Sequence, residues 1–378
     1  IKMKLKKIAH LALCCALVFL AGCSGNKKAE EEAVVTEAPT ETPTPEPTAD
    51  PTASPEPEPA VSPEPAEVLP EGMVRSYLTG EPVAEEIGRR RPAAVMINNI
   101  EACLPHWGIS HAGVFYEAPV EGGISRIMAI FEDYDQVERI GSVRSCRNYF
   151  IFYASGFEAV YVHYGQSAYA VPYLDLPEVN NMSGLSGYGD QIFYRTSDRN
   201  PPHNAYISGQ GIREGISICG YSDSYSEDYD GYYQFASAGE PELLEEGRTA
   251  NTVVPGGFTY NDPVFTYNPE TGLYYRSQFG EAHIDEETGE QLAVKNILIQ
   301  NSRWDYYDSN GYLNIDPDSG GSGVYITKGK AIDVTWKKYE PWGQTYYYDS
   351  QGSEITLNEG KTWVFIVLDS YAQDTQIS

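Results

Sequence analysis

At 378 residues the chain is long enough for two domains and a sizeable buried core. Its 26 lysines and arginines stand against 54 aspartates and glutamates, a formal net charge of −28. Such a surface repels phosphate backbones at long range and sets nucleic acid aside as a partner. It also opposes electrostatic adsorption to anionic lipid, so membrane attachment has to rest on something other than charge.

The amino terminus supplies that something. Lys2, Lys4, Lys6 and Lys7 precede an apolar run from Ile8 to Leu20 that is short for a transmembrane helix, so residues 1–22 read as a signal peptide. Met3 reads as the natural start, and Leu20-Ala21-Gly22-Cys23 resembles the bacterial lipobox. Export, lipidation of Cys23 and cleavage before it are the expected sequence of events. The protein is then extracytoplasmic, anchored to the outer face of the cell membrane through Cys23. From residue 23 to 71 Glu, Pro, Thr and Ala dominate, with repeated steps such as Thr42-Pro43, Glu46-Pro47 and Ser54-Pro55. A tract of this kind cannot bury a core and reads as a disordered tether.

Residues 72–220 read as an α+β or α/β layered domain. Strands are expected over 92–99, 112–118 and 124–131, a helix over 147–156, a strand over 159–163, a short helix after Gln166 and a helix within 207–218. In an open sheet of this kind, ligands collect outside the carboxyl ends of the strands, which here places His163, Gly165 and Ser167 at a crevice. Asn180 to Gly189 reads as a loop able to fold over it. Residues 221–250, mixed in Tyr, Ser, Asp and Glu, read as a connection. Residues 251–378 form a mainly β domain of short alternating runs (258–260, 273–276, 294–300, 331–336, 345–348 and 363–368), with a hairpin turn at 349–352.

In so acidic a chain the cationic and imidazole groups are scarce, and many fall in the first domain: Arg126, Arg144, Arg147, Arg195, Arg199, His163 and His203. Guanidinium forks suit carboxylate or phosphate, so the expected ligand-binding set is Arg126, Arg144, Arg147, His163, Ser167, His203 and Asn204, with Glu117 and Glu121 at the wall. A single cavity is expected to gather them around a small anionic or cell-wall ligand. Two other readings stand beside it. Glu117/Glu121 as an acid and base pair, or His163/His203, fits a cell-envelope hydrolase or transferase. Structural pairing of all these groups fits an envelope scaffold.

No cofactor is expected. His106 and His111 sit in a Pro/Gly loop and His283 is isolated, so no zinc spacing appears. Cys103, Cys146 and Cys219 remain after processing, an odd count that reads as free thiols with at most one bridge.

Five blocks in order then carry a family resemblance: Arg91 to Asn99, Tyr116 to Arg126, Ile140 to Arg147, Tyr161 to Gly165 and Pro202 to Tyr206. Together with 294–297, 333–337 and 360–363 they resemble the YerB-like lipoproteins, two-domain proteins containing a domain of unknown function. The resemblance covers nearly everything after residue 72. It implies the anchor and the two-domain layout, and no established activity.

Overall fold

The computed structural model describes residues 69–237 and 239–378, all within one compact unit. The expected signal peptide, Cys23 and the expected tether up to residue 68 lie outside the described residues. The strands expected in the first segment form as β1 (Ala93–Asn99), β2 (Val114–Pro119) and β3 (Ser125–Phe131), followed by helix α1 (Asn148–Gly156), β4 (Val160–His163) and β5 (Asn181–Ser183). Helix α2 (Gly209–Cys219) starts where the Ser208 hydroxyl accepts from the Gly211 amide at 3.0 Å. It stops at Gly220, whose φ of 70° is the left-handed turn that glycine makes cheaply.

The second segment supplies β6 (Arg248–Thr249), β7 (Asn296–Ser302), β8 (Gly321–Thr327), β9 (Lys330–Lys338), β10 (Thr345–Tyr348) and β11 (Thr362–Leu368). The segment is mainly β and the first is mixed, as the composition of each indicated. The run at 258–260 is the exception: it is a turn, not a strand.

Both segments build one sheet. Its order is β6-β9-β8-β7-β11-β2-β3-β1-β4-β5, with β10 added beside β9. The seam is β11 against β2, a parallel pairing that sets Trp363 opposite Phe115 and Phe365 opposite Glu117. All seven residues of β11 are buried, which explains its unbroken apolar run: a central strand with parallel neighbours on both sides has no solvent face. The boundary expected between two bodies is therefore a boundary in sequence only. Residues 221–250 are no free connection either, since Tyr232 stacks on Phe157 with ring centroids 3.7 Å apart.

Side chains alternate strictly across the sheet and divide the core in two. Val95, Ile97, Phe115, Ile127, Ile297, Trp363 and Phe365 point to one face, covered by α2 and by a smaller sheet containing Val253, Phe265 and Tyr274. Met96, Tyr116, Met128, Leu298, Val364 and Ile366 point to the other, covered by α1. This parity decides where each candidate site residue goes.

Candidate functional site

The site is built on residues 141–147, which cross the carboxyl ends of β1 and β4. The Asn98 amide donates to the Ser142 carbonyl at 2.9 Å and the Arg144 amide to the Met96 carbonyl at 2.8 Å. On the far side the Val143 amide donates to Ala205 at 2.7 Å, and the Tyr164 amide donates to Arg144 at 3.0 Å. Because β1 and β4 are parallel, this is the position at which open sheets collect ligands.

Three guanidinium groups reach this place without a carboxylate. The side chain of Arg144, a half-buried residue, makes no hydrogen bond or ion pair with any described residue, and its Nε is buried with no acceptor. Burial, together with the charges of Arg147 and Arg195, pushes its pKa down. Arg195, exposed, donates to the Asn204 side-chain oxygen at 2.8 Å and lies over the Tyr164 ring at 4.6 Å. Arg199 donates to the backbone carbonyls of Cys103 and Pro105. Beside them Asn98 Nδ2 lies 2.9 Å from His203 Nδ1 and 2.8 Å from Cys103 Sγ, so His203 accepts at Nδ1 and keeps its proton on Nε2. Burial and the neighbouring Arg144 hold the His203 pKa below its usual value.

Two further arginines lie inward. Arg126 donates to the Ser145 carbonyl at 2.7 Å, and burial, reinforced by Arg147, lowers its pKa to about 10. Arg147 grips both oxygens of Glu121 and also donates to the Cys146 carbonyl. Burial pushes the Glu121 carboxyl up, but its bonds to Arg147 outweigh this and hold it below its usual range.

The remaining expected site residues are elsewhere or already engaged. Glu117 follows Phe115 in parity and so points to the opposite face from Arg126, whose partner across the strands is Ala118. There it is fully buried, accepting from Asn99 at 3.0 Å, Ser125 at 2.7 Å, Asn261 at 2.9 Å and Arg276 at 2.8 Å. Glu121 lies beyond the strand, which ends at Pro119, in a Glu-Gly-Gly turn, so the two carboxylates do not share a strand face. They are not an acid and base pair. His163 is buried, donating from Nδ1 to the Gly165 carbonyl at 2.8 Å, and burial lowers its pKa. Its bonds and those of His203 are separate, so these two are no pair either. Ser167 is buried behind Cys146, its hydroxyl without a partner. Asn204 reaches the site only by steering Arg195. Five hollows on the described surface are lined by other residues, without Arg144, Arg147, His163 or His203.

One cluster escaped the sequence reading. His106 Nε2 donates to the Asn98 carbonyl at 2.7 Å, which leaves His106 Nδ1 to accept from His283 Nε2 at 2.8 Å. His283 Nδ1 then accepts from Arg276 at 2.6 Å, and Arg276 ends the chain on Glu117. Every proton position follows from the one fixed carbonyl, and both imidazoles are neutral. His106 and His283 are 177 positions apart, a pairing that no local pattern signals. Among the described residues no group of three His, Cys, Asp or Glu side chains is placed to hold a metal ion, and the three described cysteines are free.

Comparison with known proteins places this architecture. Residues 78–222 match the N-terminal domain, and residues 255–364 the C-terminal domain, of a family described as protein of unknown function (DUF3048). The chain is 30% identical over 308 residues to YerB of Bacillus subtilis (strain 168), named as a candidate lipoprotein, covering 78% of this chain and 87% of that one. This chain belongs to the YerB-like, DUF3048 family. The crystal structure of the YerB protein from Bacillus subtilis matches with a TM-score of 0.71 and 30% identity, covering 81% of this chain and 99% of that one. In the YerB-like frame, Glu117 and His106 belong to the N-terminal domain and Arg276, His283 and Asn261 to the C-terminal domain. The buried relay therefore joins the two family domains, as does β11 against β2.

Proposed function

We propose that the protein is an exported lipoprotein, held to the outer face of the cell membrane through Cys23, whose N-terminal domain binds an anionic cell-envelope ligand at Arg144. The observation that carries this is the unpartnered Arg144 guanidinium, set beside Arg195 and Arg199, which also lack carboxylates. A half-buried cation with no counter-ion is costly in a protein so rich in carboxylates. With no carboxylate of the described residues in an ion pair with it, the guanidinium has room for an anion from outside. Arginine forks and the Nε2–H of His203 donate to phosphate or carboxylate oxygens. The anchor reading rests on the lipobox-like Leu20-Ala21-Gly22-Cys23 and on the name of the YerB relative.

Binding is favoured over hydrolysis because the Glu117 carboxylate is fully buried and already accepts from four donors. Titration of the exported domain with inorganic phosphate and inorganic pyrophosphate, followed by calorimetry, tests the site. Binding that weakens with salt and is lost in Arg144→Ala supports it. Binding unchanged in Arg144→Ala and Arg195→Ala removes it.

A further inference from the structure

The Arg126–Arg147 pair is a candidate for more than architecture. Both arginines are pinned by groups other than Glu121: Arg126 by the Ser145 carbonyl at 2.7 Å, Arg147 by the Cys146 carbonyl and by the Tyr312 ring 5.5 Å away. Both are nearly inaccessible, with residue exposures of 3% and 5%. Arg126 reaches Glu121 only at 4.0 Å, and its buried Nε has no acceptor. Two fixed guanidinium groups thus share one carboxylate.

That carboxylate sits on the least constrained part of the neighbourhood. Glu121 opens a three-residue turn completed by Gly122 and Gly123, both exposed, with φ of 77° and 74° and open space at each Cβ position. A single backbone bond closes the turn, from the Val120 amide to the Ile124 carbonyl at 2.8 Å. The Glu121 side chain is bonded only to arginine. Rigid cations facing a carboxylate on a hinged glycine turn describe an anion position with a removable occupant. Arg144 lies three residues from Arg147 along extended backbone, about 11 Å at most between Cα atoms, well within the combined reach of two arginine side chains.

We propose that Arg126 and Arg147 form a second anion position, occupied at rest by Glu121, and that a ligand carrying two anionic groups displaces it. One group binds Arg144 and the other replaces the Glu121 carboxylate on Arg147. This rests on the Arg144 reading and adds the class of ligand: two phosphate or carboxylate groups on one molecule, not one. The Glu121 turn then acts as an internal competitor that lets a dianion bind while discouraging single anions.

The test compares two-group probes, inorganic pyrophosphate and succinate, with one-group probes, inorganic phosphate and acetate, on wild type and Glu121→Gln by calorimetry. Removing the competitor is expected to tighten the two-group probes roughly tenfold, as one charge-assisted pair no longer has to be broken. The one-group probes should keep their wild-type affinity at Arg144 and gain a weaker second binding step at the vacated Arg147. Pyrophosphate against succinate tells a phosphate ligand from a carboxylate one. Equal affinities in wild type and Glu121→Gln, with binding still lost in Arg144→Ala, overturn the competitor and leave the Arg144 site standing. No binding of any probe to either protein overturns both. Should Glu121→Gln fail to fold, amide exchange of wild type decides: faster exchange at residues 121–124 on adding the tighter probe supports displacement, and slower or unchanged exchange rejects it.

Discussion

Glu117 and Arg276, 159 positions apart in sequence, meet as an ion pair at 2.8 Å with neither side chain exposed. The arginine is further sandwiched between His283 and the face of Trp363, 4.6 Å from the ring centroid. A pair this deep contributes little net stability against an apolar replacement, but breaking it by removing one partner leaves an uncompensated buried charge. Arg276→Met is expected to cost about 3–5 kcal/mol, a fall in melting temperature on the order of 10 °C. Chemical denaturation of Arg276→Met, Glu117→Gln and the double variant measures the coupling. Additive losses would show that the pair is not the seam between the two family domains.

The same relay makes stability depend on acidity. Burial, with Asn98 opposing it, lowers the His106 pKa from 6.5 to about 3, and burial, Arg276 and His106 push His283 well below its usual value. Asp285 and Arg199 also act on His106. Below pH 6.5 the unfolded chain therefore binds protons that the folded chain refuses, and stability is lost as pH falls from about 6.5 towards about 3. Glu132 works the other way, since burial lifts its pKa to about 7 and the folded state holds that proton. Proton uptake on unfolding at pH 5, measured calorimetrically in two buffers, should be larger in Glu132→Gln than in wild type. Uptake that does not rise in that variant contradicts the assignment.

The anchor yields a separate expectation. Cys23→Ala removes the proposed acylation site without touching the described residues. The protein should move from the membrane fraction to the soluble exported fraction. Membrane association that still needs detergent in Cys23→Ala excludes the lipid anchor.

The elements were legible in the sequence because their signals are local. β1, β3, α1 and β11 announce themselves through apolar runs and glycine punctuation. The single sheet was not legible, because the parallel pairing of β11 with β2 joins Trp363 to Phe115 across almost 250 residues and no turn records it. Glu117 and Glu121 part company because Pro119 ends the strand between them. The scarcity of cations singles out Arg144 in the sequence as one of several candidates. It did not reveal which arginines lack partners, since a carboxylate such as Glu121 reaches Arg147 only through a fold-dependent turn.

Arg144 and Arg276 are expected to behave oppositely on removal, and the contrast separates a site from a strut. Arg276 neutralises a buried carboxylate, so its loss is costly. Arg144 makes no ion pair among the described residues, and burial, Arg147 and Arg195 work against its charge, more than Cys103 and Glu121 favour it. Arg144→Ala therefore gives up only the packing of its stem and relieves repulsion, and its stability without ligand should stay within about 0.5 kcal/mol of wild type or rise. With a bound anion the order reverses. Wild type gains about 2.7 kcal/mol at a hundredfold excess over the dissociation constant, and Arg144→Ala gains none. Melting curves with and without pyrophosphate measure both halves in one experiment. A large loss of stability in Arg144→Ala without ligand would mean that the guanidinium holds residues 141–147 in place and that its charge is not directed at a ligand.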